Sequence, residues 1–291
     1  MYRVVGDQRI LRGVSATLSW QALDADGNEA DPGTVTVGVV ASDGTALLTA
    51  HATTGTAKEP RVVTLPADKN QQLDLLTATW TTTGGEFTTR IETVGGFYFS
   101  IVEARKSDPT LNDWGKYPDA DIIAVRREVE DEFEAICGVA FVPRFALETL
   151  DVRTPTSVQL GWRRPTVLRS ASYYSTPTPM AFTETELSYL ATTSAGRVSG
   201  RYGFPFTVGE NNITFGYEHG YERPPADVKR AALQRLRSRL NANKTGIPDT
   251  ATNFSVAEGG TFSLASAGFR TTGIPQIDGV LARYADGPAS G

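Results

Sequence analysis

The side chains in this chain best suited to catalysis or metal binding are those of two histidines, His51 and His219, and one cysteine, Cys137. His219 follows Glu218 and precedes Asp227, so a histidine oriented by a carboxylate is one interpretation of this region. A serine triad also needs its nucleophile on a strained turn, and no Gly-x-Ser-x-Gly motif is present. Cys137 comes near the C-terminal end of a predicted helix, which does not stabilise a thiolate. We therefore predict no catalytic residue and no enzymatic activity, with a hydrolase using His219 as a minor alternative.

Carboxylates cluster at 128–134, where two of them could act as general acid and base. No histidine or group of metal ligands accompanies them, so an acidic surface facing solvent or another subunit is favoured. "DADGNE" (24–29) resembles the start of a calcium loop, but its flanks are predicted strands and its twelfth position is Val35. A hairpin turn is therefore preferred there. One cysteine and two distant histidines do not make a structural zinc site. We predict no metal and no cofactor.

Composition places the chain among ordinary globular proteins. It has 291 residues, of which 40% are hydrophobic and 21% charged, with a formal net charge of -5. This charge argues against a protein that coats nucleic acid. No apolar run approaches a membrane span, and "MYRVVGDQRI" at the start lacks an apolar stretch of signal-peptide length. We expect the chain to stay in the cytoplasm, or in something assembled there.

Residues 1–102 are rich in Thr, Val and Gly. Within its short runs, apolar and polar residues alternate with a period of two. Predicted strands lie at 14–20, 34–40, 61–66, 75–85 and 86–96, separated by turn signals. This spacing is typical of an antiparallel sandwich. We predict an immunoglobulin-like β-sandwich at 1–102, followed by a polar linker at 103–118.

Residues 119–291 have a different, mixed pattern. Apolar residues at 122, 125, 129, 133 and 136 predict an amphipathic helix over 119–137, terminated by Gly138. Strand candidates follow at 157–162, 166–174, 196–202 and 212–220, then a helix over 225–242 with Pro225 in its first turn. A hairpin over 253–269 with its turn at Gly259-Gly260, a short C-terminal helix and a mobile tail at 286–291 complete the prediction. The predicted fold class is α+β in two domains.

The helix over 119–137 is acidic and the helix over 225–242 is basic. Their charges could pair within one subunit. Alternatively, in a ring, the acidic helix of one subunit could meet the basic helix of its neighbour, a head-to-tail contact that closes when the rotation fits.

Three segments resemble the head-to-tail adaptor proteins of tailed phages, above all those of long-tailed phages that infect actinobacteria. They are "RREVEDEFEAICGVAFVPR" (126–144), "ITFGYEHGYERPPADVKRAALQRLRSRL" (213–240) and "TTGIPQIDGVLARY" (271–284). In that family an acidic helix ends at a glycine, a small β region leads to a Tyr/His-Gly-Tyr corner, and prolines open a second helix. The resemblance covers about residues 104–285, and its three blocks occur in the family's order.

The resemblance implies a structural virion protein at the neck, assembled in the host cytoplasm. Such adaptors form a twelve-subunit ring below the portal protein, extend the DNA channel without binding DNA specifically, and offer a platform to stopper or tail-completion proteins. No membrane is involved. Under this hypothesis the ring interface contains Glu128, Asp131, Glu132, Lys229, Arg230, Arg235 and Arg237. The portal contact contains Thr272, Ile274, Ile277, Leu281 and Tyr284. A structural corner is formed by His219, Gly220, Pro224 and Pro225, with His219 hydrogen-bonded locally.

The N-terminal half departs from the family pattern, because minimal adaptors lack a preceding sandwich. We expect it to be an outward-facing decoration that braces the neck or contacts the major capsid protein. Two other classes stay open besides the hydrolase: another virion module, such as a tail-completion protein or a sandwich-bearing adhesin, and direct DNA binding.

Overall fold

The computed structural model describes residues 3–5, 8–174, 178–241, 251–255, 261–264 and 271–285, with side chains for 8–174, 178–241 and 271–285. Within these residues the chain is a mixed α+β protein with seventeen strands and five α-helices. Short 3₁₀ turns occur at Ala67–Lys69, Pro109–Asn112 and Arg201–Gly203.

The N-terminal part is a β-sandwich. Its strands are β1 (Arg3–Val5), β2 (Gln8–Leu11), β3 (Ala16–Leu23), β4 (Thr36–Val40), β5 (Ala46–Ala52), β6 (Arg61–Leu65), β7 (Asp74–Thr82) and β8 (Gly85–Val94). One sheet has the order β1-β3-β6 and the other the order β2-β8-β7-β4-β5. The β8-β7-β4-β5 portion follows the G-F-C-C′ order of immunoglobulin variable domains.

The two sheets face each other across one apolar core. Trp20 of β3 and Trp80 of β7 are buried and stack with their ring centroids 6.0 Å apart. The indole N–H of Trp80 donates to Thr89 at 2.9 Å. Alternation in β7 buries Leu76, Ala78 and Trp80 and leaves every second residue on the outer face. The five strands predicted in this half are confirmed to within about three residues at their ends; β1, β2 and β5 were not predicted.

The stretch predicted as a linker, 103–118, is folded. It lies in α1 (Ile101–Ser107), which starts with a capping box between Ser100 and Glu103, and in the 3₁₀ turn that follows. Ala104, Leu111 and Tyr117 are buried in the same core as the C-terminal helices. The chain therefore enters its C-terminal part through packed structure, while the division at 1–102, 103–118 and 119–291 stays a prediction.

Four helices form the helical core, defined as the buried cluster shared by α1, α2 (Asp119–Cys137), α4 (Ala226–Asn241) and α5 (Pro275–Ala285). The predicted range of α2 is confirmed, and Gly138 ends it in the left-handed conformation with φ of 62°. α4 begins one residue later than predicted, and Pro225 accepts the hydrogen bond from Lys229 N at its start.

The β region between α2 and α4 contains two sheets. One has the order β12-β11-β15-β9, from β9 (Arg144–Val152), β11 (Pro165–Tyr173), β12 (Met180–Ala181) and β15 (Gly209–His219). The other has the order β10-β14-β13, from β10 (Ser157–Gln159), β13 (Leu190–Thr192) and β14 (Arg197–Gly200), with the short helix α3 (Glu184–Ser188) beside it. Together they enclose a third core around Phe215 and Val198.

The C-terminal hairpin is confirmed in its strands, since β16 (Ala251–Ser255) pairs with β17 (Thr261–Leu264). Its predicted turn at Gly259-Gly260 and the predicted tail at 286–291 lie outside the described residues. Among the helices described, none has both the length and the apolarity to span a membrane.

Candidate assembly interface

The acidic helix α2 and the basic helix α4 pack side by side in the same subunit. Arg235 donates two hydrogen bonds to the Glu132 carboxylate, at 2.9 and 2.7 Å. Arg239 pairs with Glu128 and also lies 3.3 Å from Glu132. The two helices align these charges because their apolar stripes meet in the helical core. Of the two pairings that the sequence left open, the structure contains the one within the subunit.

Other charges predicted at the ring interface are also engaged within the chain. Lys229 pairs with Glu103 of α1, and this bond, together with that from Ser100, lowers the pKa of Glu103 to about 2. The ion pairs of Arg237 with Asp108, and of Asp131 with Arg9, measure 2.9 and 2.7 Å. Arg230 is exposed and makes no ion pair with the described residues. Six of the seven side chains have ion-pair partners in their own subunit, and their part in a ring interface stays a prediction.

The residues predicted to contact portal mostly face inward. Ile277 and Leu281 are fully buried between α2 and α4, and Thr272 is buried with both its N–H and its hydroxyl donating to Asp278 Oδ1 at 2.7 Å. Ile274 and Tyr284 are half-buried against the same core. The apolar stripe of α5 that suggested a partner surface is a core-facing stripe. Thr272, Ile277 and Leu281 are buried in this conformation, and a portal contact through this segment stays a prediction.

Tyr284 closes the C-terminal end of α5 against α4. Its hydroxyl donates to Asp227 at 2.9 Å, in the first turn of α4. Partial burial and this acceptor raise the pKa of Tyr284 to about 12. The contact fixes the last turn of α5 to the first turn of α4, which places the third block of the resemblance against the second.

His219 is the last residue of β15 and is buried between aromatic rings. Its imidazole stacks on Trp162, with centroids 5.1 Å apart, and lies 5.6 Å from the Tyr217 ring. Burial, with the nearby positive charge of Arg144, lowers the pKa of His219 to about 3. Its Nδ1 has no hydrogen-bond partner among the described residues, so the expected local hydrogen bond is not found at that atom. Ring stacking holds the side chain instead.

Gly220 makes the turn after β15 possible. Its φ is 106°, and an added Cβ would lie 2.4 Å from the carbonyl oxygen of Val142. The next residue, Tyr221, donates its backbone N–H to Ala140 at 3.0 Å, which attaches the corner to the segment that follows α2. Pro224 and Pro225 are half-buried between this turn and α4. The corner thus directs the chain from the sheet onto the helical core.

The residues weighed for catalysis are not brought together. Glu218 points away from His219 along the strand and pairs with Arg169 at 3.0 Å, and Asp227 is held by Tyr284 and Arg283. Cys137 is buried, which raises its pKa to about 12, and its thiol donates to the Leu281 carbonyl at 3.6 Å. In the part of the chain that the structure describes, no three metal-ligating side chains form a group.

A buried ionic cluster joins the sandwich to the C-terminal part. Arg9 of β2 donates to Glu92 of β8 at 2.7 Å and to Glu130 of α2 at 2.8 Å. Arg144 of β9 donates to the other oxygen of Glu92 at 2.8 Å and to Glu134 at 2.8 Å. Burial raises the pKa of Glu134 to about 7, against the opposing effect of Arg144. The cluster links two sandwich strands to one helix and one strand of the C-terminal part.

The sequence analysis did not predict this cluster, although the spacing of charged residues in α2 indicates it. Arg126, Glu130 and Glu134 are spaced by four on α2, next to the apolar stripe of Val129 and Phe133. Charges at such positions are buried with the stripe and need partners. Backbone contact reinforces the link, since Gly95 N donates to Pro143 O at 2.9 Å.

No family model and no curated protein matches this chain. Among solved structures, it is similar to the neck of an empty GTA particle computed with C6 symmetry, with 11% identity, a TM-score of 0.46, and coverage of 67% of this chain and 92% of the other. The neck of a native GTA particle computed with C12 symmetry gives 12% identity, a TM-score of 0.37 and coverage of 51% and 84%. The Lin-41 filamin domain gives 19% identity, a TM-score of 0.26 and coverage of 33% and 93%. These three TM-scores are all below 0.5.

Proposed function

We propose that this chain is a structural connector of a tailed-phage-type particle, a ring subunit below the portal that joins head to tail. One observation carries the proposal. The three segments that resemble phage adaptors are far apart in the sequence, yet each contributes to the same buried core: Phe133 from the first, Leu236 from the second, and Leu281 from the third. The resemblance therefore corresponds to one packed unit.

The corner supports the same function in detail. Gly220 allows the turn that no other residue would make without strain, and His219 is packed as a neutral ring. Both roles are structural, as the resemblance implies for the Tyr/His-Gly-Tyr corner. The proposal includes three finer features. They are a ring of twelve subunits, a portal contact through residues 271–291, and a platform for stopper or tail-completion proteins.

The surfaces that make these contacts are also part of the proposal. The charges between α2 and α4 are paired inside the subunit, and we infer that the ring contact also uses surfaces outside this pair. The stripe of α5 is buried, so a portal contact in this region would use its exposed face, with Gln276 and Arg283. The sandwich, held by the ionic cluster at Arg9, would then be a fixed projection able to reach the capsid.

Deletion of the gene from the phage that encodes it tests the proposal. Electron microscopy of the lysate is expected to find DNA-filled heads and free tails that are not joined. The wild-type gene and a His219→Phe variant, each supplied in trans, should both restore joined particles if the corner is structural. Joined particles that fail to bind cells would overturn the connector and indicate an adhesin.

A further inference from the structure

Three arginines line one small cavity where the helical core meets the corner. We call it the arginine cavity and define it by Arg163, Arg164, Ser194, Tyr221 and Arg283. Its volume is about 170 Å³. A group of three guanidinium groups stands out in a chain whose formal net charge is -5. Positive charges concentrated around a confined space raise the local concentration of anions.

Arg163 is fixed by the C-terminal ends of two helices. Its Nη2 donates to the carbonyl oxygen of Cys137, the last residue of α2, and to that of Tyr284, in the last turn of α5. Its Nε donates to the Gly138 carbonyl at 3.4 Å. A cation is stabilised at such ends, because the unpaired carbonyl groups carry partial negative charge. The remaining nitrogen, Nη1, makes no hydrogen bond with the described residues, so it can donate to a ligand.

Arg164 is held beside Arg163 in a costly backbone conformation. Its φ is 58°, in the left-handed region that is unfavourable for residues other than glycine. The backbone is fixed there on both sides, since Arg164 N donates to Ser194 O at 2.9 Å and Gly220 N donates to Arg164 O at 3.1 Å. The guanidinium stacks on the Tyr221 ring, 4.0 Å from its centroid, and makes no hydrogen bond with the described residues. Strained residues held in this way are concentrated at ligand sites.

The charges around the arginine cavity do not balance. Arg283 pairs with Asp227 at 2.8 Å, and Asp227 also accepts a hydrogen bond from the Tyr284 hydroxyl at 2.9 Å. No carboxylate among the described residues forms an ion pair with Arg163 or Arg164. Three guanidinium groups against one carboxylate leave an excess of two positive charges. An anion with a charge near -2 would neutralise this excess, whereas one carboxylate would neutralise half of it.

A phosphate group fits the cavity in charge, chemistry and size. It carries about -1.5 to -2 charges at pH 7 and three acceptor oxygens, and guanidinium groups bind such oxygens in pairs. The cavity equals roughly five or six water volumes of about 30 Å³, below the about 300–1,000 Å³ of sites for larger organic ligands. We propose that the arginine cavity binds one phosphate dianion, with Arg163 and Arg164 as the main donors and the Ser194 hydroxyl as a further one. This site does not depend on the proposed ring.

The first experiment titrates the full chain with inorganic phosphate in a calorimeter, at pH 8 and constant ionic strength. Wild type should bind one phosphate with a Kd of about 1 mM or lower, and Arg164→Gln should weaken binding at least about tenfold. Arg223→Gln is the matched control, because Arg223 is exposed in the same corner and carries the same charge but does not line the cavity. Its Kd should stay within about twofold of wild type. No binding at about 10 mM phosphate, or equal losses in the two variants, overturns the inference.

A second variant places a carboxylate in the cavity. Ser194 is exposed, so Ser194→Glu should fold normally, which its urea unfolding midpoint checks. The new carboxylate can pair with Arg163 or Arg164 and should weaken phosphate binding at least about tenfold. Thr192→Glu is the control, because Thr192 is also exposed on the neighbouring strand and does not line the cavity. Phosphate binding that survives Ser194→Glu but not Thr192→Glu would overturn the location of the site.

Further probes distinguish phosphate from other sources of negative charge. Acetate at the same ionic strength should bind at least about tenfold more weakly than phosphate, and equal binding would overturn the assignment to a dianion. Short duplex DNA that binds more tightly than free phosphate, and is released by Arg164→Gln but not by Arg223→Gln, would assign the cavity to nucleic-acid backbone instead. Asp286, two positions after Tyr284, lies outside the described residues. Phosphate binding that appears only in Asp286→Asn would show that the chain's own carboxylate occupies the cavity, which also overturns the inference.

Discussion

His219 shows how a residue suited to catalysis is used for packing. Its ring lies between Trp162 and Tyr217, and burial lowers its pKa to about 3 from an ordinary value of 6.5. Between these two values the unfolded chain binds more protons than the folded chain. The stability contributed by neutral His219 is therefore complete above about pH 6.5 and is lost as the pH falls towards 3.

We expect His219→Phe, which keeps a ring but cannot be protonated, to flatten this acid dependence. Urea unfolding at pH 7, 6, 5 and 4 should give a wild-type free energy of unfolding that declines relative to the variant by up to about 1.4 kcal/mol per pH unit. Glu134, with its pKa raised to about 7, has the opposite dependence, because its contribution is lost as the pH rises. It is present in both proteins and cancels in the comparison. Parallel curves would contradict a buried neutral His219.

Gly220→Ala should destabilise the chain by at least about 2 kcal/mol. The new Cβ would sit 2.4 Å from the Val142 carbonyl, on a backbone with φ of 106°. Gly13→Ala is the control for backbone strain alone, since its φ is 75° and nothing lies within 4 Å of the added atom. We expect it to cost about 1 kcal/mol. Equal losses, measured by urea unfolding, would show that the close approach at the corner has no role.

At the scale of elements, the pairing of α2 with α4 within one subunit predicts which charges matter for stability. Arg235→Ala should lose about 1–2 kcal/mol, because its two bonds to Glu132 are largely buried. Arg230→Ala should change stability by less than about 0.5 kcal/mol, since Arg230 is exposed.

The same helix pair makes a charge reversal informative. Arg235→Glu would place a third carboxylate beside Glu132 and Glu128, so this variant should unfold more easily than Arg235→Ala. Thermal unfolding of wild type, Arg235→Ala, Arg235→Glu and Arg230→Ala ranks their stabilities. If Arg230→Ala were as destabilising as Arg235→Ala, the pairing within the subunit would be contradicted.

At the scale of the whole molecule, the ionic cluster should couple the sandwich to the helical core. Arg9→Ala removes a donor from Glu92 and Glu130 and leaves Glu130 fully buried. Breaking a buried pair costs about 3–5 kcal/mol. We expect wild type to unfold in one transition, and Arg9→Ala to unfold in two, with the sandwich and the helical core separated.

Two probes distinguish these transitions. In a background carrying Trp114→Phe and Trp162→Phe, tryptophan fluorescence reports Trp20 and Trp80 of the sandwich, and thiol labelling reports Cys137 in the helical core, as the chain has one cysteine. Arg61→Ala is the control, because Arg61 is buried and pairs with Asp31 inside the sandwich. It should weaken the sandwich while both probes still change together. Coincident transitions in Arg9→Ala would show that the cluster does not couple the two parts.

Sequence by itself determined the elements with strong local periodicity. The range of α2 and its end at Gly138 follow from an apolar period and a glycine that tolerates the left-handed conformation. The β-sandwich follows from alternation between turns, and the resemblance blocks located the corner and α4. Such signals depend on residues a few positions apart, so they are readable in one sequence. Short or irregular elements, such as β9 or α1, were missed because their patterns are weak.

Tertiary structure alone decided which surfaces are free. Glu132 and Arg235 are 103 positions apart, and only the packing of α2 on α4 makes them partners within one subunit. Ile277 and Leu281 form an apolar stripe that would suit a partner or a core equally, and the position of α5 buries it. Arg9 and Glu130 meet because the sandwich docks on α2. Burial and ion pairing depend on contacts between distant segments, and local periodicity carries no information about which segments will meet.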